Sequence, residues 1–405
     1  MLTNDSKKVS IVLMVLLLFS TQACTDIFLP GLPTIAKEFG KTMGVTNLTI
    51  SVYNYSQAFF VLFIGVVSDL RGRRSTLLFC LLLHIVASVW IALCSSISVM
   101  IAMRFIQALG SAAIYIVLRL IIKDTMDKKA QIHATGLLVV GLVLSPILAP
   151  VLGAWIIRLS NWRYCFWAIA LLEIPLFIWA WNVIRETNHQ QLALRASFTL
   201  KRHIIGYFRV LQDGYFLSLA LIVGATFGAF YAFISISSYL YIDQYGIKDT
   251  SYAYVFIGVA IAYLIGNRLM SQFNKNNLRP DKIIQIGICT SIVGTALILT
   301  VVFAQTISAK VACLTLGTCL LRLATALINP PAQVAVTNHF QENSSHALGL
   351  LTCIQYSFAA AGTMVVSELA FQPSTNYMIS TSIFVVLSFI GYSLVPRRRN
   401  PIPLS

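Results

Sequence analysis

Apolar residues run in long blocks, broken by short polar segments, from one end of the chain to the other. Blocks long enough to cross a bilayer lie at 10–31, 46–68, 76–95, 98–122, 132–157, 163–184, 214–240, 251–272, 282–304, 309–331, 346–369 and 376–395. A membrane-spanning helix needs about twenty such residues. Helix is the expected form, because open strands leave backbone N–H and C=O groups unpaired in hydrocarbon. The pattern therefore predicts an all-α polytopic membrane protein with twelve transmembrane helices. The longest polar segment, 185–212, follows the sixth block, is basic and has no clear core pattern. It reads as a linker between an N-terminal six-helix bundle, 1–184, and a C-terminal one, 213–405.

Composition supports this reading. Hydrophobic residues make up 58% of the 405 and charged residues 11%, with a mean hydropathy of +0.80. Soluble domains carry roughly twice that charged share. The net charge of +15 forms no nucleic-acid-binding patch, because Lys and Arg sit in short segments that alternate between rich and poor. One set holds Lys7, Lys8, Arg71, Arg73, Arg74, Lys123, Lys128, Lys129, Arg185, Arg195, Lys201, Arg202, Arg209, Arg268, Lys275, Arg279, Lys282 and Arg397–Arg399. The other holds Lys37, Lys41, Arg158, Arg163, Lys248 and Lys310. Basic loops stay inside, so both termini are expected in the cytoplasm. The eight cysteines are scattered, with no CxxC or Cys/His cluster; neither a disulfide framework nor a metal site is expected. Lys7 and Lys8 before an apolar run look like a signal peptide, but no small-residue cleavage site follows, so this run reads as a retained first span.

The candidate chemistry lies in polar and small residues within and between the blocks. Between spans two and three stand Gly65, Asp69, Gly72, Arg73 and Arg74. Gly72 permits a tight turn, and Asp69 at a helix end can pair with a cation or a neighbouring helix N-terminus. In span four, helical spacing puts Arg104, Gln107, Ser111, Tyr115 and Arg119 near one face. A central Arg facing lipid costs several kcal/mol or more, so Arg104 should face the bundle interior. For Arg119, snorkelling to the cytoplasmic end is an equally open reading. Span five carries Gly141, Ser145, Ala149 and Gly153 at four-residue intervals, with Pro146 and Pro150 among them. Small residues so spaced form a groove that admits a neighbouring helix. Trp162 and Arg163 precede span six, and span one ends in Thr25-Asp26-Ile27-Phe28-Leu29-Pro30-Gly31-Leu32-Pro33.

These segments resemble the major facilitator superfamily. The 65–74 stretch is similar to its loop signature, although Leu70 stands where the family usually has Arg. That resemblance implies a latch on the outward-facing state, formed by Gly65, Asp69, Gly72, Arg73 and Arg74 together with Arg119. The Arg104–Ser111 segment looks like the second motif of the superfamily's proton-coupled antiporters. The span-five segment resembles the antiporter motif in its Bcr/CflA drug-exporter form, and Asp26–Pro33 is close to that group's Asp-x-Tyr-Leu-Pro-x-Leu-Pro element. The resemblance is clearest in the N-terminal half and implies two six-helix bundles working by alternating access.

Proton coupling needs an acid whose protonation can be moved by burial and a switchable partner. Asp26, the only acid inside span one, is expected to take that role beside Arg104; an Asp capping a helix broken near Pro30 is the plainer alternative. Glu173, His84 and Arg322 are further ionisable groups within spans. Arg322, if it faces the cavity, favours an anionic or zwitterionic substrate; otherwise it is a structural cation paired with Glu368 or a carbonyl. The pocket is expected at the midplane between halves, lined by Tyr53, Asn54, Gln57, Gln107, Tyr115, Phe230, Phe233, Arg322, Gln355 and Tyr356, although aromatics in spans often serve only packing. The expected protein is a monomeric exporter of drugs or metabolites in the bacterial inner membrane, moving protons the other way and using no cofactor. A proton-coupled importer or facilitator, or an exporter of an anionic metabolite such as a siderophore, is the alternative. No nucleophile–base or metal motif such as GxSxG or HExxH points to an enzyme.

Overall fold

The computed structural model describes residues 4–188, 200–341 and 343–395, and these are helical nearly throughout. The first half comprises α1 (Asn4–Asp26), α2 (Leu32–Glu38), α3 (Met43–Arg71), α4 (Arg73–Leu93), α5 (Ile97–Thr125), α6 (Lys128–Leu159) and α7 (Arg163–Val183). Then follow α8 (Leu200–Leu211), α9 (Gly214–Ser238), α10 (Asp249–Lys275), α11 (Pro280–Leu299), α12 (Ile307–His339), α13 (Ser344–Glu368) and α14 (Pro373–Ser393). Among the described residues, eleven helical segments are long and apolar enough to cross a membrane. The remaining expected span, 132–157, lies within the 32-residue α6, whose described apolar part is the shorter stretch Leu144–Leu159.

Local sequence explains the breaks. α1 stops at Asp26, and a short 3-10 turn, Leu29–Gly31, carries Pro30 at its start. Pro33 then sits in the first turn of α2, where its missing N–H costs nothing. The span is thus broken immediately beside its one acid. Gly72, at φ 102°, joins α3 to α4 without an intervening loop, in a conformation that side chains with a Cβ rarely adopt.

Packing repeats between the halves. α1 packs on α6 and α7, α3 on α5, and α4 on α5 and α7. In the same order, α9 packs on α13 and α14, α10 on α12, and α11 on α12 and α14. Across the halves, α3 meets α13 and α6 meets α10. This is the pattern of a parallel repeat. At the end remote from the termini the halves are stitched together. Asn47 donates to the Ser235 carbonyl at 3.2 Å and to Ser367 Oγ at 2.8 Å, and Lys37 pairs with Asp243 at 3.4 Å.

The 185–212 segment is less featureless than its composition suggests. Residues 189–199 lie outside the described residues, but 200–211 forms α8. Tyr207 of α8 donates to the Leu62 carbonyl in α3 at 2.9 Å and sets its ring against His346 of α13. The core pattern was hidden because α8 buries only one narrow stripe, between helices of opposite halves.

Candidate functional site

Two arginines occupy equivalent places in the two halves. Arg104, on α5, stacks on Tyr53 of α3 at 4.1 Å and on Phe28 at 4.8 Å from the ring centres. Arg322, on α12, stacks on Phe230 of α9 at 3.9 Å and on Tyr263 of α10 at 4.4 Å. Each half therefore supplies one cage: an arginine from its fourth span, a Phe from its first span and a Tyr from its second. A guanidinium between aromatic faces is held by its charge against the ring quadrupoles, the more so when desolvated.

The hydrogen bonding of the two cages differs. Arg104 is almost wholly buried and directs its donors at the Thr49 carbonyl (3.2 Å), the Cys24 carbonyl (3.3 Å) and Gln107 Oε1 (2.6 Å). Gln107 passes the chain on to Ser88 Oγ at 2.8 Å. Arg322 makes no hydrogen bond or ion pair with the described residues and is only half-buried. Asp26 makes no ion pair with Arg104, whose Nε and Nη1 are taken by carbonyls and Gln107. Asp26 instead lies within electrostatic reach of both arginines, with Arg322 the stronger influence. Glu368 is not the partner of Arg322 either; its carboxylate lies beside Gly44.

Tyr115, Tyr231 and Tyr356 complete the surroundings. Each is half-buried, as are Asp26 and Arg322, so these side chains border a space between the halves. Exposure rises along α5 from buried Arg104 through Tyr115 to exposed Arg119, whose guanidinium donates to Tyr115 Oη at 3.0 Å. This face of α5 thus becomes more exposed towards the end that carries the termini. Phe230 is at the edge of the space; Phe233 is not. Phe233 is fully buried among Phe256, Tyr241 and Tyr377 because the next turn of α9 points into the C-terminal core. Asn54, Gln57, Gln107 and Gln355 are also buried, with Gln57 bonded to Ser111 Oγ at 3.2 Å. A separate groove of about 480 Å³, lined by Phe59, Phe60, Phe63 and Phe79, lies between α3 and α4 and holds none of these residues.

At the α3–α4 junction Arg73 is the centre. It pairs with Asp69 at 2.5 Å and with Asp124, at the end of α5, at 3.1 Å. Arg74 instead caps carbonyls of Ile184 and Trp181, both at 2.8 Å, and stacks on Trp181. Arg119 is not part of this cluster; it lies more than a helical turn away from Asp124 and binds Tyr115. Gly65 is not sterically required, since a Cβ there would touch nothing within 4 Å. Sequence reading missed Glu186, which accepts from the α4 amides of Arg73 (2.9 Å) and Arg74 (3.2 Å). Partial burial opposes its ionisation, but amides of Asn188, Arg73, Arg74 and Thr187 outweigh that and hold the carboxyl below its ordinary value of 4.5. A depressed folded value stabilises the protein above pH 4.5, and the effect fades as pH falls through the folded value. Glu186→Gln should lower the melting temperature by a few degrees at neutral pH, with the difference vanishing in acid. A pH series of thermal unfolding curves checks this.

In span five, Gly141 and Gly153 face α1. A Cβ on Gly141 would sit 2.8 Å from the Val15 carbonyl oxygen, and one on Gly153 would overlap the Ile27 carbonyl. Ala149 and Ser145 are fully buried on the same helix, and Pro146 and Pro150 lie within it. His84 and Glu173, separate in the sequence reading, form a fully buried pair at 2.8 Å joining α4 to α7. Trp162 and Arg163 both bind Glu38, stapling α7 to the end of α2.

Two bundles of membrane helices related by a parallel repeat, with a polar site enclosed between them, define a membrane transporter. Residues 14–363 match the family model of the Major Facilitator Superfamily, and the chain belongs to that superfamily. It is 24% identical over 374 residues, 90% of each chain, to the uncharacterized MFS-type transporter YdgK of Bacillus subtilis (strain 168). It is 30% identical over 228 residues to multidrug resistance protein MdtL of Escherichia coli O9:H4 (strain HS), covering 56% of this chain and 57% of MdtL. Among solved structures it resembles the D-xylose-proton symporter, with a TM-score of 0.72 at 14% identity over 96% of this chain and 98% of that one. A point mutant of the nucleoside transporter NupG gives 0.74, also at 14% identity, over 96% of this chain and 100% of that one. At such identities the likeness is one of fold.

Proposed function

We propose that the protein is a proton-coupled antiporter that exports small organic molecules across the bacterial inner membrane, with both termini in the cytoplasm. The observation that carries this is Asp26: one carboxylate at a broken helix, reachable from an internal space, with a guanidinium from each half within electrostatic reach. An acid so placed can exchange a proton for a substrate while the halves rock around it. The likeness to MdtL and the Bcr/CflA-like form of the span-five segment support export over import. With the termini inside, the stitched end faces outwards and the space opens to the cytoplasm, the state that loads an export substrate. The Asp69–Arg73–Asp124 cluster then lies on the cytoplasmic side as a latch held within the N-terminal bundle.

The test uses everted membrane vesicles holding an imposed pH gradient. Added drugs and amino-acid-like metabolites should include compounds that dissipate the gradient, as substrate entering the vesicle drives protons out. A binding compound that leaves the gradient intact in wild type, with none that dissipates it, contradicts proton coupling.

A further inference from the structure

The two arginine cages are built alike but filled differently. Asp26 stands two residues before Phe28; α9, which carries Phe230, holds no acidic residue. The repeat that duplicates Arg, Phe and Tyr therefore does not duplicate the carboxylate. The C-terminal cage is left with a guanidinium clamped between Phe230 and Tyr263 and no hydrogen-bonding partner among the described residues. Arg carries five N–H donors in a planar fork suited to bidentate recognition of a carboxylate. A half-buried cation clamped between rings has lost part of its water without gaining such partners, so a ligand that supplies an anion there gains what the protein withholds.

We propose that Arg322 is the anion subsite of the transport cavity and that the substrates are zwitterions, with a carboxylate on Arg322 and an ammonium group on Asp26. This rests on the antiport reading and narrows it. A simple anion would bring a second negative charge towards Asp26, whereas a simple amine would leave Arg322 unsatisfied. A zwitterion answers both charges. Its ammonium takes the place of the proton on Asp26, so loading substrate displaces the proton, lowers the cavity's charge by that one proton and leaves both Asp26 and Arg322 paired. Tyr231 and Tyr356, with Phe230, supply aromatic walls for the body between the two charged groups.

The experiment measures binding to purified protein in lipid nanodiscs for a panel sharing one ring system: phenethylamine, 3-phenylpropanoate and phenylalanine, with the tryptamine, indolepropanoate and tryptophan set alongside. Each zwitterion should bind at least about tenfold more tightly than either single-charge partner. Arg322→Gln should remove the preference for the carboxylate-bearing members and leave the amines unchanged; Arg322→Lys should restore part of it. Amines that bind as tightly as the zwitterions overturn the proposal, and so does a panel in which nothing binds. An amine transported against protons independently of Arg322 overturns this proposal alone and leaves antiport standing. Loss of proton exchange for every member takes the antiport reading with it.

Discussion

Asp26→Asn should abolish pH-driven transport while the protein stays folded and still binds uncharged ligands. Asn keeps the size and hydrogen-bonding capacity of Asp but carries no exchangeable charge. Nothing structural depends on the negative form: α1 has already ended at Asp26, and Pro30 and Pro33 restart the chain as a turn and α2. Neither Arg104 nor Arg322 is held by an ion pair to Asp26, so neither is released by its loss. Counterflow exchange, which needs no net proton movement, should survive, while accumulation driven by a pH gradient falls to background. Measuring both in proteoliposomes separates a coupling residue from a structural one. Loss of exchange together with loss of folded protein would return Asp26 to the role of a helix-end cap.

The second large effect is on folding. Gly153→Ala places a methyl group on the Ile27 backbone carbonyl, and Gly362→Ala does the same to Gly228 in the other half. Both sites join the first and fifth spans of their bundle, and backbone cannot yield as a flexible side chain does. Each substitution should cost more than about 4 kcal/mol, the range reserved for severe overpacking and strain. The expected result is loss of monodisperse protein on size exclusion for both. Gly65→Ala is the control: its Cβ enters open space, and yield and melting temperature should match wild type.

The spans were legible because hydrocarbon leaves the backbone no alternative to helix and writes that demand into long apolar blocks. Arg104 was legible for the related reason that a buried charge is expensive and needs company. Its company was harder to read. Phe28 and Tyr263 are aromatic residues among many in apolar runs, and nothing in their local sequence marks them as guanidinium platforms. Setting the two halves side by side would have exposed the Phe–Tyr–Arg repetition. The latch illustrates a different limit. Asp69, Arg73 and Arg119 all lie near one end of the bundle, but only the packing of α4 against α5 decides that Arg73 meets Asp124 while Arg119 turns to Tyr115. Glu186 was missed because it sits in a polar segment after span six, where a carboxylate looks like ordinary solvated surface. Phe233 was misplaced because one turn of an all-apolar helix looks like the next, and burial on both faces leaves no stripe to read.

The central claim is that substrate and proton move in opposite directions through the space around Asp26. The direct measurement is proton flux in proteoliposomes of purified protein, with a pH-sensitive dye inside and a substrate gradient imposed without any pH gradient. Substrate running into the vesicles should drive protons out and make the interior alkaline, with the signal absent in Asp26→Asn. Acidification of the interior in step with substrate entry, or transport with no proton movement, would contradict the account.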